Sequence, residues 1–182
     1  MLPSRRLCTA VGILLSISGC AGSDRQWATQ PPSAPEIQLP ENSALRGAFR
    51  TGAITRAAAA GKSFFCSGTF DNWTQETRRS LDQFLRVDGF LAEGNPHYEI
   101  NLRLMSFDTS TSLNADKTTE TDIQYEIIEA ANQKIVTADT VKTTYTAKIG
   151  DAIEGCNRER LSALGSTNDG IRAILTRLLA LR

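Results

Sequence analysis

Between Tyr98 and Leu104 the chain alternates strictly: Tyr98, Ile100, Leu102 and Leu104 are apolar, and Glu99, Asn101 and Arg103 are polar. A period of two puts the apolar side chains on one face of an extended strand, so the fold needs a sheet with one face covered and one left wet. Two further runs supply neighbours. Ile123, Tyr125 and Ile127 alternate against Asp122, Gln124 and Glu126, and Ile135, Val141, Tyr145 and Ala147 lie along a Thr-rich stretch. The spacing predicts a polar loop from Asp108 to Thr119 between the first two strands and a hairpin turn at Ala131-Asn132-Gln133 between the second and third.

The cover reads as helical. Trp73, Thr77, Leu81, Phe84 and Leu85 recur at helical spacing while Arg78, Arg79, Asp82 and Arg86 face out, which is the pattern of a helix laid on a core. Asp71 or Asn72 suits its N-cap, with Gln75 or Glu76 completing a capping box, and Gly89 stops it. Ile171, Ile174, Leu175, Leu178, Leu179 and Leu181 form a second apolar face, which Ser166-Thr167-Asn168-Asp169 opens as a capping box. Ala152, Ile153, Leu161 and Leu164 suggest an earlier helical piece; whether it runs on through Gly165 and Gly170 is open. Leu45 to Arg56 reads as a strand or as a helix continuing into Ala57–Ala60. Gly47 and Gly52 would each cost a helix about 1 kcal/mol, which favours the strand. Each element has a single apolar side to bury, so the economical arrangement is an α+β fold: a single antiparallel sheet in the order strand, helix, three strands, helix, with the two helices packed on one face.

The N-terminus sets the address. Arg5 and Arg6 precede an apolar run from Leu7 to Ile17, which falls short of the roughly 20 apolar residues of a bilayer-spanning helix and has the form of a secretory signal peptide. Ile17-Ser18-Gly19-Cys20 then resembles the lipobox of bacterial lipoproteins. That resemblance implies cleavage after Gly19, acylation of Cys20 with palmitate-type chains, and, because Ala21 rather than Asp follows the cysteine, retention at the periplasmic face of the outer membrane. A cysteine bearing two or more chains anchors stably without any spanning helix. Residues 1–19 are thus read as signal peptide. Residues 20–41 are read as a lipidated tether, where Pro31, Pro32, Pro35 and Pro40 cluster among small polar residues, with Trp27 an interface-loving residue in a flexible arm. Residues 42–182 are read as one periplasmic domain.

Composition and chemistry narrow the function by exclusion. The chain carries 20 Lys and Arg against 20 Asp and Glu; without Arg5 and Arg6 this becomes 18 against 20, a balance of −2 with no electrostatic footprint for nucleic acid. With Cys8 lost and Cys20 lipidated, Cys66, in the expected loop Gly61–Phe70, and Cys156 remain as a disulfide candidate in an oxidising compartment, the alternative being two free buried thiols. His97 is the only histidine. Placed after Pro96 at a strand start, with no nucleophile elbow anywhere, it reads as a surface turn residue. Zinc has too few ligands, and no cofactor is expected. Gly61-Lys62-Ser63 echoes the end of a phosphate loop whose first glycine would fall on Arg56. The Asp108–Thr119 run has Leu113 and Thr119 where a calcium loop needs Gly and Glu. Glu99, Asp122 and Glu126 share a polar strand face with Arg103, Lys142 and Lys148, and a mixed-charge sheet face of this kind suits a partner protein.

Over its last 110 residues or so the chain resembles small proteobacterial lipoproteins, through Trp73–Leu85, Tyr125–Ile127, Thr143-Thr144-Tyr145-Thr146-Ala147, and Arg158-Glu159-Arg160 running on to Leu181. In element order, with Trp73 opening the helix, it resembles auxiliary lipoproteins of ABC-type lipid transport systems. These likenesses imply a non-enzymatic accessory or assembly component of an envelope complex, one held to outer-membrane lipid by Cys20 and to an envelope protein partner. Two alternatives stand beside this: a small periplasmic hydrolase using a carboxylate pair, and a lipid-binding shuttle with an apolar cavity between helices and sheet.

Overall fold

The computed structural model describes residues 37, 39–58, 60, 72–110, 116–152 and 154–180. The elements run β1 (Phe49–Arg56), α1 (Trp73–Val87), β2 (Tyr98–Thr109), β3 (Lys117–Glu129), β4 (Ile135–Ala147) and α2 (Gly155–Leu178). The strands form one four-stranded sheet in the order β1-β2-β3-β4. This is the α+β order expected, and Leu45–Arg56 contributes a strand, not a helix.

One pairing differs from the expected antiparallel sheet. β2–β3 and β3–β4 are antiparallel, but β1 runs parallel to β2, Phe49 opposite Tyr98 and Arg56 opposite Leu104. The reason is connectivity: a helix between two neighbouring strands carries the chain back to the end where it started, so the second strand must run the same way as the first. The sheet is therefore mixed.

The strand period is visible in the burial. Ile100, Leu102 and Leu104 of β2 and Ile123, Tyr125 and Ile127 of β3 are all buried, and with Leu81, Leu85, Ile171, Ile174, Leu175 and Leu178 of the helices they make one core. Ile37 and Leu39 belong to that core too. The polar loop between β2 and β3 is shorter than its composition suggests, because Asp108 and Thr109 extend β2 and Lys117–Thr119 open β3. The Thr109 and Thr119 hydroxyls, 3.0 Å apart, show how a threonine-rich run can pair as a strand instead of looping out.

Neither the box expected on Asn72 nor the one expected on Ser166–Asp169 forms, and Asp71 lies outside the described residues. Asn72 makes no side-chain cap bond, and Glu76 pairs instead with Arg160 of α2. Ser166 lies inside α2, which is continuous for 24 residues through both glycines. The glycines are contact points. A Cβ at Gly165 would fall within 2.7 Å of Tyr145 Cε1, and one at Gly170 would meet Ile123 Cδ1 at 3.0 Å. Each lets the helix backbone lie closer to the sheet than any side chain would allow, offsetting the helix-propensity cost.

Candidate functional site

The helices cover the sheet face that carries Ile123, Tyr125 and Val141. The opposite face is polar. It presents Arg50 of β1, Glu99, Asn101 and Arg103 of β2, Glu120, Asp122, Gln124 and Glu126 of β3, and Thr140, Lys142 and Thr144 of β4, as the register requires. Its charges are cross-paired. Arg50 forms an ion pair with Glu99, Lys142 Nζ lies 2.7 Å from Glu120, and Ser106 Oγ donates to Asp122 Oδ2 at 2.7 Å. The Glu120 hydrogen bond and charge, with a further contribution from Asp122, raise the Lys142 ammonium above its ordinary pKa. Pairs this exposed contribute little to stability, so their worth lies in the pattern they display.

Within this face a shallow concavity of about 220 Å³ is lined by Ala53, Thr55, Asn101, Leu102, Arg103, Gln124 and Glu126. It lies beside a bulge where the β1 register slips between Thr51 and Ile54. The bulge is held from both sides: Ala53 N–H donates to Asn101 Oδ1 at 2.6 Å, and Arg78 of α1 donates to the Gly52 carbonyl at 2.8 Å. A Cβ at Gly52 would collide with the Asn101 side chain. Gly52, used above only to favour a strand over a helix, and Asn101, used only as a polar strand position, are not among the expected site residues. The signal available was a glycine inside a strand, which marks a bulge or a close approach.

Glu99, Asp122, Glu126, Arg103 and Lys142 share the open face, as expected from their parity. Lys148 lies just past β4, exposed, with its N–H donating to Asp151 Oδ2 at 2.7 Å. His97 is exposed ahead of β2, and its backbone N–H donates to the Ala48 carbonyl at 2.8 Å. Cys156 is the second residue of α2. Cys20, Cys66 and Trp27 lie outside the described residues, as does the middle of the Asp108–Thr119 run. Among the described residues no group of three or more His, Cys, Asp or Glu is gathered to hold a metal. Of the residues lining the concavity, Glu126 is the one carboxylate.

No family model matches the sequence and no curated protein matches it. The fold has counterparts among solved structures. Protein XCC0632 from Xanthomonas campestris, of the family model DUF330, aligns with a TM-score of 0.53 at 9% identity, over 83% of this chain and 97% of that one. Protein CT253 from Chlamydia trachomatis aligns with a TM-score of 0.51 at 7% identity, over 73% and 95%. A minor lipoprotein from Acinetobacter baumannii aligns more loosely, with a TM-score of 0.46 at 13% identity, over 76% and 95%. At these identities the likeness shows the fold alone. No helix among the described residues is long and apolar enough to cross a membrane.

Proposed function

We propose that this chain is a non-enzymatic, lipid-anchored envelope protein, acylated at Cys20 and held at the periplasmic face of the outer membrane, which serves as an accessory or assembly component of an envelope complex, with lipid transport as one setting. The observation that carries the reading is the uncovered sheet face. Among the described residues, four strands leave one broad, mixed-charge surface bare of helices, with a bulge-bordered concavity lined by β1, β2 and β3. Charge cross-pairing keeps such a face soluble while giving a protein partner a specific pattern to match. A carboxylate-pair hydrolase needs a second acid across a pocket, and the concavity supplies Glu126 alone.

A photo-reactive side chain at Gln124, introduced in the full chain and activated in intact cells, tests this directly. A single protein captured in stoichiometric amount, and lost when Arg103 is reversed to Glu, is the expected result; no capture at Gln124 overturns the docking face. Mass spectrometry of the mature N-terminus reads the anchor separately, as acyl mass on Cys20. The same proposal pairs Cys66 with Cys156. That bond would close a loop of about 90 residues and contribute on the order of 4 kcal/mol in the chain-entropy account. Alkylation of both thiols without prior reduction would overturn it.

A further inference from the structure

Large apolar side chains are exposed at five described positions: Val87, Met105, Ile135, Val136 and Ile149. Three of the five gather at one end of the molecule. Ile135 and Val136, 52% and 47% exposed, are the first residues of β4, at the tip of the β3–β4 hairpin. The register slips there, so that Ile128 faces Ile135 while Ile127 faces Thr137, leaving Val136 as the extra residue turned out of the ladder. Val87, at 53%, ends α1. Ile149 lies past the far end of β4.

The tip is built rigidly. Glu129 N–H donates to the Lys134 carbonyl at 2.8 Å, Asn132 Nδ2 donates to Glu129 Oε2 at 2.7 Å, Lys134 N–H donates to Asn132 Oδ1 at 2.9 Å, and Gln133 takes the left-handed φ of 58° that closes the turn. It is also tied to the segment that leads into β1. Ala130 N–H donates to the His97 carbonyl and His97 N–H to the Ala48 carbonyl, each at 2.8 Å, and Ala48 directly precedes β1. Arg46 Nη2 donates to the Leu39 carbonyl at 2.6 Å and Gly47 N–H to the Gly89 carbonyl at 2.9 Å, so the apolar tip, the exposed Arg86 and Lys134, and the Leu39–Ala48 segment that leads into β1 share one end.

We propose that this end is a second membrane contact, in which Ile135 and Val136 enter the interfacial layer of the same bilayer that holds acylated Cys20, with Lys134 at the headgroups. The inference rests on the anchor proposed above. Two half-exposed aliphatic side chains bind a bilayer only weakly alone. A chain already tethered to that bilayer meets it at high effective concentration, which makes a weak contact sufficient. The contact would fix which way the open sheet face points, by setting the sheet's long axis upright on the membrane.

The test uses the full-length chain carrying Trp27→Phe, reconstituted in vesicles of phosphatidylethanolamine and phosphatidylglycerol. Ile135→Trp reports on the tip, Val136→Trp serves as a second reporter, and Ile149→Trp reports on the opposite end, each read against the background of Trp73. The expected result is a blue-shifted emission for Ile135→Trp or Val136→Trp, quenched at least twofold by lipid brominated near the headgroup, with Ile149→Trp unquenched. Equal quenching at both ends, or none at the tip, overturns the contact. An emission shift that depends on protein concentration without vesicles would assign the tip to a second copy, and also overturns it. Acyl mass on Cys20 is read in the same sample: an acylated chain with an unquenched tip leaves the anchor and removes the contact, while a quenched tip on an unacylated chain does the reverse.

Discussion

From Gly155 to Asp169, α2 buries Arg158, Glu159, Ser162, Ala163, Ser166, Thr167 and Asn168, whereas from Gly170 to Leu178 it buries Ile171, Ile174, Leu175 and Leu178 beside one charge, Arg172. Both halves lie on β3 and β4, yet they are held by different forces. The second half works by area: four aliphatic side chains removed from water, each worth about 1.5–3 kcal/mol. The first works by direction. Ser162 and Thr119 hydroxyls meet at 2.6 Å, Ser166 Oγ donates to the Thr143 carbonyl at 2.9 Å while Thr143 Oγ1 donates back to the Ser166 carbonyl at 2.7 Å, and Trp73 Nε1 donates to Thr167 Oγ1 at 3.0 Å. Hydrogen bonds of this kind contribute modestly when made and cost the full desolvation of a buried group when broken. An apolar half tolerates sliding, and a polar half does not. The first half therefore fixes the register of the helix on the sheet, and the second supplies most of the stability.

The sharpest break in that contrast is the one buried charge in the aliphatic half. Arg172 pairs with Asp88 at the end of α1, whose side chain is fully buried, and its guanidinium lies 4.2 Å over the Phe84 ring. Asp88→Ala leaves an uncompensated cation inside the core and is expected to cost about 3–5 kcal/mol, read as a shift in the urea unfolding midpoint. Replacing both partners, Asp88→Leu with Arg172→Met, should recover most of that loss. A double variant no better than Asp88→Ala would mean that the aliphatic half depends on its charge pair for more than neutralisation.

Next in size is Gly165→Ala. Helix propensity alone would make alanine better by about 1 kcal/mol. Here the added Cβ meets the Tyr145 ring, so the expected outcome is a net loss of about 1–3 kcal/mol. Tyr145→Ala in the same chain should turn the glycine substitution neutral or favourable. Smaller again, Ser162→Ala removes one of the two hydroxyl partners of buried Thr119 and leaves Thr109, so it should cost about 0.5–1.5 kcal/mol, with Thr119→Val as its partner in a double-mutant cycle. If the two single losses add without coupling, the polar half is not held by this bond.

The same contrast explains what the sequence could and could not tell. β2, β3 and α1 were legible because Ile, Leu and Phe recur there at periods of two and 3.6. The second half of α2 was legible for the same reason. The first half was legible only as a helical piece around Leu161 and Leu164 whose continuity stayed open: its buried side chains are mostly Ser, Thr, Asn, Arg and Glu, which a hydrophobic period cannot see, and Ser166-Thr167-Asn168-Asp169 imitates a helix start. Gly165 and Gly170 looked like breaks because their purpose is a contact with Tyr145, Thr143 and Ile123, residues distant in sequence. The parallel β1–β2 pairing followed from the strand-helix-strand order, a connectivity argument that alternation within each strand does not contain. At the candidate site, parity alone gathered Glu99, Arg103, Asp122, Glu126 and Lys142 on one face. The bulge at Gly52 that borders the concavity is held by Asn101 and Arg78 arriving from two other elements, and the glycine inside the strand is its one local sign.

Asp169 lies at the junction of the two halves, and its effect is the smallest and the most dependent on pH. Burial raises its pKa above the ordinary carboxylate value, because a partly desolvated group resists ionising. The folded state therefore holds this proton more tightly than the unfolded chain does. Below the unfolded pKa both states are protonated and the residue makes no difference. As pH rises through the folded pKa the ionised form becomes a liability, and stability falls to a plateau that persists at neutral pH. Asp169→Asn keeps the shape and nearly the same helix propensity but never ionises. It should match the wild type near pH 3 and exceed it at pH 7, by less than the Ser162→Ala loss, with the gap opening just above the ordinary carboxylate range. Urea midpoints measured at intervals from pH 3 to pH 7 would trace that opening. A constant offset across the whole range would instead assign the effect to packing at the junction, and would place Asp169 with the directional half of the helix, not at its boundary with the aliphatic one.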